Sequence, residues 1–256
     1  LLPSDIGYVR ISQFQENSDK DFVAALTKLN DLNNLKEGLK GLIIDLRNNP
    51  GGLIPPAVEI ADVFLDDGVI VYTEGRTPSS NQTFFASPRK LLEDVPIVVL
   101  INGGTASAAE IVAGALQDHT RAAILGTQSF GKGSVQTVLP VSETKALKLT
   151  TSLYYTPNGR SIQAEGIVPD VIVERAQLTS LEQGNRLREA DLNRSIENTG
   201  SNVETETEAI ATLREDDNQV YEAFTLLKGI NVYQSLGETP LSDVSADSDE
   251  SSSDEE

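Results

Sequence analysis

Short unbroken apolar runs alternate, over roughly the first half of the chain, with stretches in which apolar residues recur every three or four positions. Ile6-Gly7-Tyr8-Val9-Arg10-Ile11 alternates as a strand does. Ser18, followed by Asp21 and then Phe22, Leu26 and Leu29, predicts a capped amphipathic helix. Gly41-Leu42-Ile43-Ile44-Asp45-Leu46 is apolar without a break, the pattern of a strand buried on both faces, and it ends at the turn-forming Arg47-Asn48-Asn49-Pro50-Gly51-Gly52. A helix is expected from about Pro56 to Phe64. Further buried strands are expected at Val69–Thr73, Ile97–Ile101 and Ala122–Leu125, with a helix over about Thr105–Gln117. This alternation predicts an α/β core with a largely parallel sheet.

Beyond that point the pattern changes. Ser134–Leu139, Ala146–Tyr155 and Val171–Val173 read as strands with no helix between them, so mixed β structure is expected there. Residues 177–200 are polar and partly helical in expectation, and Val203–Ser235 predicts a helix through Ile210, Leu213, Val220, Phe224 and Leu227. The last stretch, Ser242–Glu256, has seven acids and no base, and with so little apolar content it cannot offset its ordering entropy by burial. The division expected is a core over 1–176, a partly helical extension over 177–240 that hangs on it as an appendage, and a disordered acidic tail over 241–256.

Composition narrows the function. Of the chain's net charge of −19, most sits in residues 177–256, which hold 19 acids against 5 bases. No basic stripe exists to meet phosphates, which excludes nucleic acid as a partner. No apolar run approaches the roughly 18 residues of a membrane span. The absence of Cys removes disulfides, thiolate metal sites and a Cys nucleophile, and a single His removes any multi-His metal centre. No cofactor is implied. With no Met and an opening Leu1-Leu2-Pro3, the sequence reads as a piece of a longer protein, so a leader segment would not be visible in it.

Hydrolysis remains to be built from what is left. His119 lies at the polar end of a predicted helix and reads as a capping or solvated residue rather than a base. Asn102-Gly103-Gly104-Thr105-Ala106-Ser107-Ala108-Ala109-Glu110 follows a buried strand and opens a helix, which presents the Ser107 hydroxyl at the sheet's end beside the free N–H groups of the first turn. The plainer reading is a capping box, with Thr105 or Ser107 at the N-cap and Glu110 three residues after Ser107. Ser129-Phe130-Gly131-Lys132-Gly133-Ser134-Val135-Gln136 places a Lys between two glycines with little room for water. To act as a base, a Lys of ordinary pKa ~10.4 must fall to about 7 or 8, which takes roughly 4 kcal/mol of desolvation. Gln136 supplies an uncharged amide to orient it. The Asn48–Gly52 turn, the Ser107 corner and the Lys132 loop all follow strand ends that share one crevice in an α/β sheet. Glycines there let a carbonyl approach the backbone, so Gly51 or Gly52 can pair with Ala108 as donors to an oxyanion.

Gly126-Thr127-Gln128-Ser129-Phe130-Gly131-Lys132 also has the spacing of a P-loop. Gly133 stands where Ser or Thr must meet magnesium, however, and a strand rather than a helix is expected next, which disfavours nucleotide binding.

The ordered set Ile43–Gly52, Gly104–Glu110, Gly126–Gln136 and Tyr154-Tyr155-Thr156-Pro157-Asn158-Gly159-Arg160-Ser161-Ile162-Gln163 resembles the carboxyl-terminal processing (tail-specific) serine proteases, peptidase family S41, over approximately residues 5–175. The resemblance implies a core related to the Clp protease and crotonase folds. It implies Ser107 as nucleophile, Lys132 as base and Gln136 as orienter, with oxyanion donors at Ala108 and at Gly51 or Gly52. It implies protein or peptide substrates cut at or near their carboxyl termini, admits an adaptor protein and a homo-oligomer, and points to a bacterial periplasm or cell envelope. Members usually carry a PDZ domain upstream of the strand that here begins near Ile6. The competing reading is a catalytically silent peptide-binding or scaffold module on the same fold.

Overall fold

The computed structural model describes residues 1–31, 38–88, 91–178 and 203–238. The expected partial helix over 177–200 and the acidic tail lie outside these, apart from residues 177 and 178.

The five strands β1 (Ile6–Arg10), β2 (Gly41–Asp45), β5 (Ile97–Ile101), β6 (Ala123–Gly126) and β9 (Val171–Ile172) form one wholly parallel sheet in the order β1-β2-β5-β6-β9. Apart from Asp45 at the end of β2, its central strands carry no charged or polar side chain, because both faces are covered. Leu42 and Ile44 of β2 and Ile97, Val99 and Ile101 of β5 point into a core with helices α1 (Ser18–Asp31), α2 (Ile54–Asp62) and α3 (Ala108–Asp118). The intervening Ile43, Val98 and Leu100 point the other way, onto Val220, Ala223, Phe224 and Leu227. Those four belong to α5 (Asn218–Glu238), which follows α4 (Val203–Asp216). The expected single helix over Val203–Ser235 is therefore two helices, broken at Asp217. The C-terminal helix α5 packs on the sheet as its second covering layer: its residues at 220, 223, 224 and 227 recur with helical spacing and form one buried stripe.

A second sheet, wholly antiparallel, has the order β4-β3-β8-β7 and comprises β3 (Val69–Gly75), β4 (Gln82–Phe85), β7 (Ser134–Ser142) and β8 (Lys145–Tyr155). The strand expected at Val69–Thr73 joins this sheet and not the parallel core. Its burial alternates in part, with Ile70, Val71 and Thr73 inward and Glu74 exposed, as in a sheet with one covered face. β4 went unread because two polar and two aromatic residues over so short a span carry no periodicity. Among the described residues, the two sheets and five α-helices are the mixed α/β architecture expected, with its largely parallel core. No helix of the described residues is long and apolar enough to cross a membrane.

Candidate active site

Three loops leave the carboxyl ends of β2, β5 and β6 and are stitched into one corner. Asn48 and Asn102 exchange hydrogen bonds: the Asn48 N–H donates to Asn102 Oδ1 at 2.9 Å, and Asn102 Nδ2 donates to Asn48 Oδ1 at 3.0 Å. The Ala106 N–H donates to the Asn49 carbonyl at 2.9 Å, and Thr105 Oγ1 donates to the Leu46 carbonyl at 2.8 Å. The third loop joins through the Phe130 N–H, which donates to the Thr105 carbonyl at 2.9 Å.

Ser107 is the N-cap of α3, with φ 57° and ψ −118°. A non-glycine residue with positive φ outside the small left-handed well is strained, at about 1–3 kcal/mol, and such strain persists only where the surroundings impose it. The geometry is that of an elbow, a sharp and strained turn from β5 into α3. Glu110, wholly buried, explains how the turn is held. Its Oε2 accepts the Ser107 N–H at 2.7 Å and the Lys132 N–H at 2.9 Å, while its Oε1 accepts Ser129 Oγ and the Gly131 N–H, each at 2.6 Å. One carboxylate thus binds the backbone of both residues singled out for chemistry. The capping-box reading of Ser107 and Glu110 and the catalytic reading describe the same turn.

The fourth motif supports the Lys132 loop from behind. The Ala164 N–H donates to the Gly131 carbonyl at 2.9 Å, the Gly133 N–H donates to Gln163 Oε1 at 3.1 Å, and the Tyr154 N–H donates to the Gly133 carbonyl at 2.7 Å. The backbone at 131–133 is pinned, but the Lys132 side chain is exposed, and Phe130 beside it is 67% exposed. The expectation of a lysine with little room for water is therefore not met by the described residues: the glycines crowd the backbone and leave the side chain in the open. Gln136 lies on β7, beyond a bulge at Val135/Gln136, and is exposed as well.

Gly51 lies hard against the elbow. A Cβ on it would sit 2.8 Å from Ser107 Cβ and 3.0 Å from the Ala108 nitrogen, so only glycine fits. Its N–H is committed to Asn49 Oδ1 at 2.8 Å. The bridge between Phe14 and Gly52 uses the Gly51 carbonyl and the Leu53 N–H, which turns the Gly52 N–H away from it. Ala108, the first residue of α3, has no intrahelical acceptor for its N–H.

A groove of about 440 Å³ takes its lining from the start of α2 and from β3, β4, β7 and β8, with Ile54, Pro55, Phe84, Val135, Thr137 and Tyr154 among its walls. A larger recess of about 760 Å³ lies between α1 and α2 and takes no lining residue from the three loops. His119 caps the end of α3, with Nε2 2.8 Å from the Val69 carbonyl, as its position in the sequence suggested. The P-loop reading falls, because Lys132 is followed by β7 and not by a helix. Two positions escaped the sequence reading: Glu110 as more than a cap, and Arg47, whose only signal was its place beside Asp45 in a strand-end turn.

A parallel sheet covered on both faces, with a strained serine elbow at its carboxyl edge and a glycine turn pressed against it, defines the class as an α/β protein. Within that class the chain belongs to Peptidase family S41, whose model matches residues 5–173. It is 48% identical over 232 residues to a carboxy-terminal-processing protease of Bartonella bacilliformis, covering 89% of this chain and 53% of that protein. It is 41% identical to a carboxyl-terminal-processing protease of Synechocystis over 69% of this chain and 40% of the relative. Among solved structures, a photosystem II D1 C-terminal processing protease superposes with a TM-score of 0.60 at 37% identity, covering 68% of this chain and 45% of that one. The chain spans about half the length of the relatives it matches.

Proposed function

We propose that this chain forms the hydrolytic core of a serine endopeptidase that cuts polypeptides in or near their carboxyl-terminal regions. Ser107 is the nucleophile, Lys132 takes its proton, and Gln136 orients the amine. The observation that carries this reading is the single buried carboxylate of Glu110, which holds the Ser107 and Lys132 backbones on one oxygen at the end of the sheet. The Ala108 N–H and, since Gly51 spends its own on Asn49, the Gly52 N–H supply the two donors to the oxyanion. The loss of water that a neutral amine needs is brought by the peptide as it lies over Lys132, because catalytic contacts tighten in the substrate complex. Relatives are named for carboxyl-terminal processing, which supports a polypeptide substrate. A bacterial envelope location, an adaptor and self-association belong to the same reading.

Hydrolysis of an unstructured protein substrate tests it. Ser107→Ala and Lys132→Ala are each expected to reduce kcat by a factor of at least about 10³ while leaving peptide binding in place. Cleavage at the unaltered rate by Ser107→Ala would remove the proposed nucleophile and favour a binding module.

A further inference from the structure

The turn that carries Gly51 and Gly52 is anchored from outside the catalytic loops. Arg47, one residue before Asn48, is buried, and all five of its guanidinium N–H groups are used. Nε donates to Asp45 Oδ1 at 2.9 Å and Nη2 to Asp45 Oδ2 at 2.8 Å; Nη2 also donates to Asp217 Oδ2 at 2.7 Å, and Nη1 to Asp217 Oδ1 and Gln219 Oε1, both at 2.9 Å. Tyr8 adds its hydroxyl to Asp45 Oδ2 at 2.7 Å. Half of the clamp thus comes from the junction of α4 and α5, more than 160 residues further along the chain.

That junction is itself seated on the core. Asp217 Oδ1 accepts the Gln219 and Val220 N–H groups at 3.1 and 3.2 Å and so caps α5, while Gln219 Nε2 donates to the Val173 carbonyl at 2.6 Å, just past β9. On the other side of Arg47, Asn48 binds Asn102, the Asn49 carbonyl takes the Ala106 N–H, and Asn49 Oδ1 takes the Gly51 N–H. An unbroken series of hydrogen bonds and single residues joins the helix junction to the elbow.

From this geometry we infer that Asp217 and Gln219 are positioning residues of the active site: by seating Arg47 they hold the Asn48–Gly52 turn where the oxyanion donor must stand. The helix pair α4–α5 is then a working part of the catalytic core, and unseating it at Asp217 switches hydrolysis off without touching Ser107 or Lys132. The inference rests on the proposed peptidase reading but does not share its test.

Asp217→Ser keeps a good helix cap and removes the carboxylate from Arg47. In the full chain it is expected to lower kcat for peptide hydrolysis by about tenfold or more, with KM changed by less than about threefold, because a small misplacement of an oxyanion donor is felt only in the transition state. Backbone amide exchange at Gly51 and Gly52 is expected to quicken while that of β5 does not. Leu26→Ala, in α1 and away from the clamp, is the control: it destabilises the fold but leaves kcat and the Gly51 exchange as they were. A kcat and a Gly51–Gly52 exchange rate at the unsubstituted level in Asp217→Ser overturn the inference. If that variant does not fold, Gln219→Met removes one acceptor from Arg47 and keeps the carboxylate. It is expected to shift both readouts in the same direction by less, and unshifted readouts there overturn the inference equally. Absence of hydrolysis by the unsubstituted chain would instead count against the peptidase reading, and the exchange measurement would still decide the coupling.

Discussion

A carboxylate oxygen has room for two donors, and Glu110 fills both of its oxygens with four donors from two different loops. An amide in its place has one accepting oxygen and turns an NH₂ group toward two donors. Glu110→Gln is therefore expected to cost about 1–3 kcal/mol of stability, the range for leaving buried polar groups unpaired, and to lower hydrolysis at temperatures where the protein is folded. Urea unfolding alongside an activity assay checks both. The Ser-x-x-Glu spacing made the cap legible in the sequence. Nothing local revealed that the same side chain also grips Ser129, Gly131 and Lys132, because those contacts exist only once β5 and β6 lie side by side. Lys132 shows the opposite case. Its flanking glycines suggested a dry pocket, whereas they make room for the backbone of 163–166 and leave the side chain exposed.

Elements were legible wherever a continuous period governed them. The apolar runs of β2, β5 and β6 and the stripes of α1 and α5 announced themselves, since burial on two faces or on one stripe imposes a pattern on neighbouring residues. What neighbours them could not be read. β3 resembles a core strand in composition yet pairs antiparallel with β4 and β8. The apolar face of α5 indicated that the helix packs on something without naming the sheet. Since Phe224 is almost wholly buried against that sheet, Phe224→Ala is expected to destabilise the protein by about 3–5 kcal/mol in denaturant titration. A change of a few tenths, as for a surface site, would mean that α5 does not hold to the sheet in solution.

On the scale of the whole molecule, the clamp at Arg47 makes folding depend on pH. Burial pushes the Asp45 carboxyl upward, but hydrogen bonds from Arg47 and Tyr8 and the charge of Arg47 outweigh it, and the group is held below the usual carboxylate range. Asp217 is likewise lowered: burial raises it, and the hydrogen bonds of Arg47 and of the α5 amides more than compensate. Burial and the bond to Asp45 push the Tyr8 hydroxyl up to about 12, so it remains a donor to that carboxylate at any ordinary pH. A group with a depressed folded value contributes stability that is complete above its unfolded value and fades as pH drops through the folded one. Thermal unfolding is thus expected to be insensitive to these two groups above about pH 4 and to lose midpoint steadily below it. Asp217→Asn, which removes one of the two ionising groups, is expected to show a shallower acid slope in the same series.

By itself, the sequence determined the parts that depend on neighbours along the chain: the alternating strands and helices, the serine at a strand-to-helix corner, the glycine turn and the loop around Lys132. Charge, Cys and His counts, which need no fold to be read, also argued against a nucleic-acid partner and against thiolate or multi-His chemistry. Tertiary structure alone decided which turns share an oxygen of Glu110, which sheet receives β3, and that residues beyond 200 cover the core and reach the Asn48–Gly52 turn through Arg47. The physical reason is the range of the information. A period of two or 3.6 residues is written into every few positions, whereas a hydrogen bond between residues 47 and 217 is specified only by the packing of everything between them.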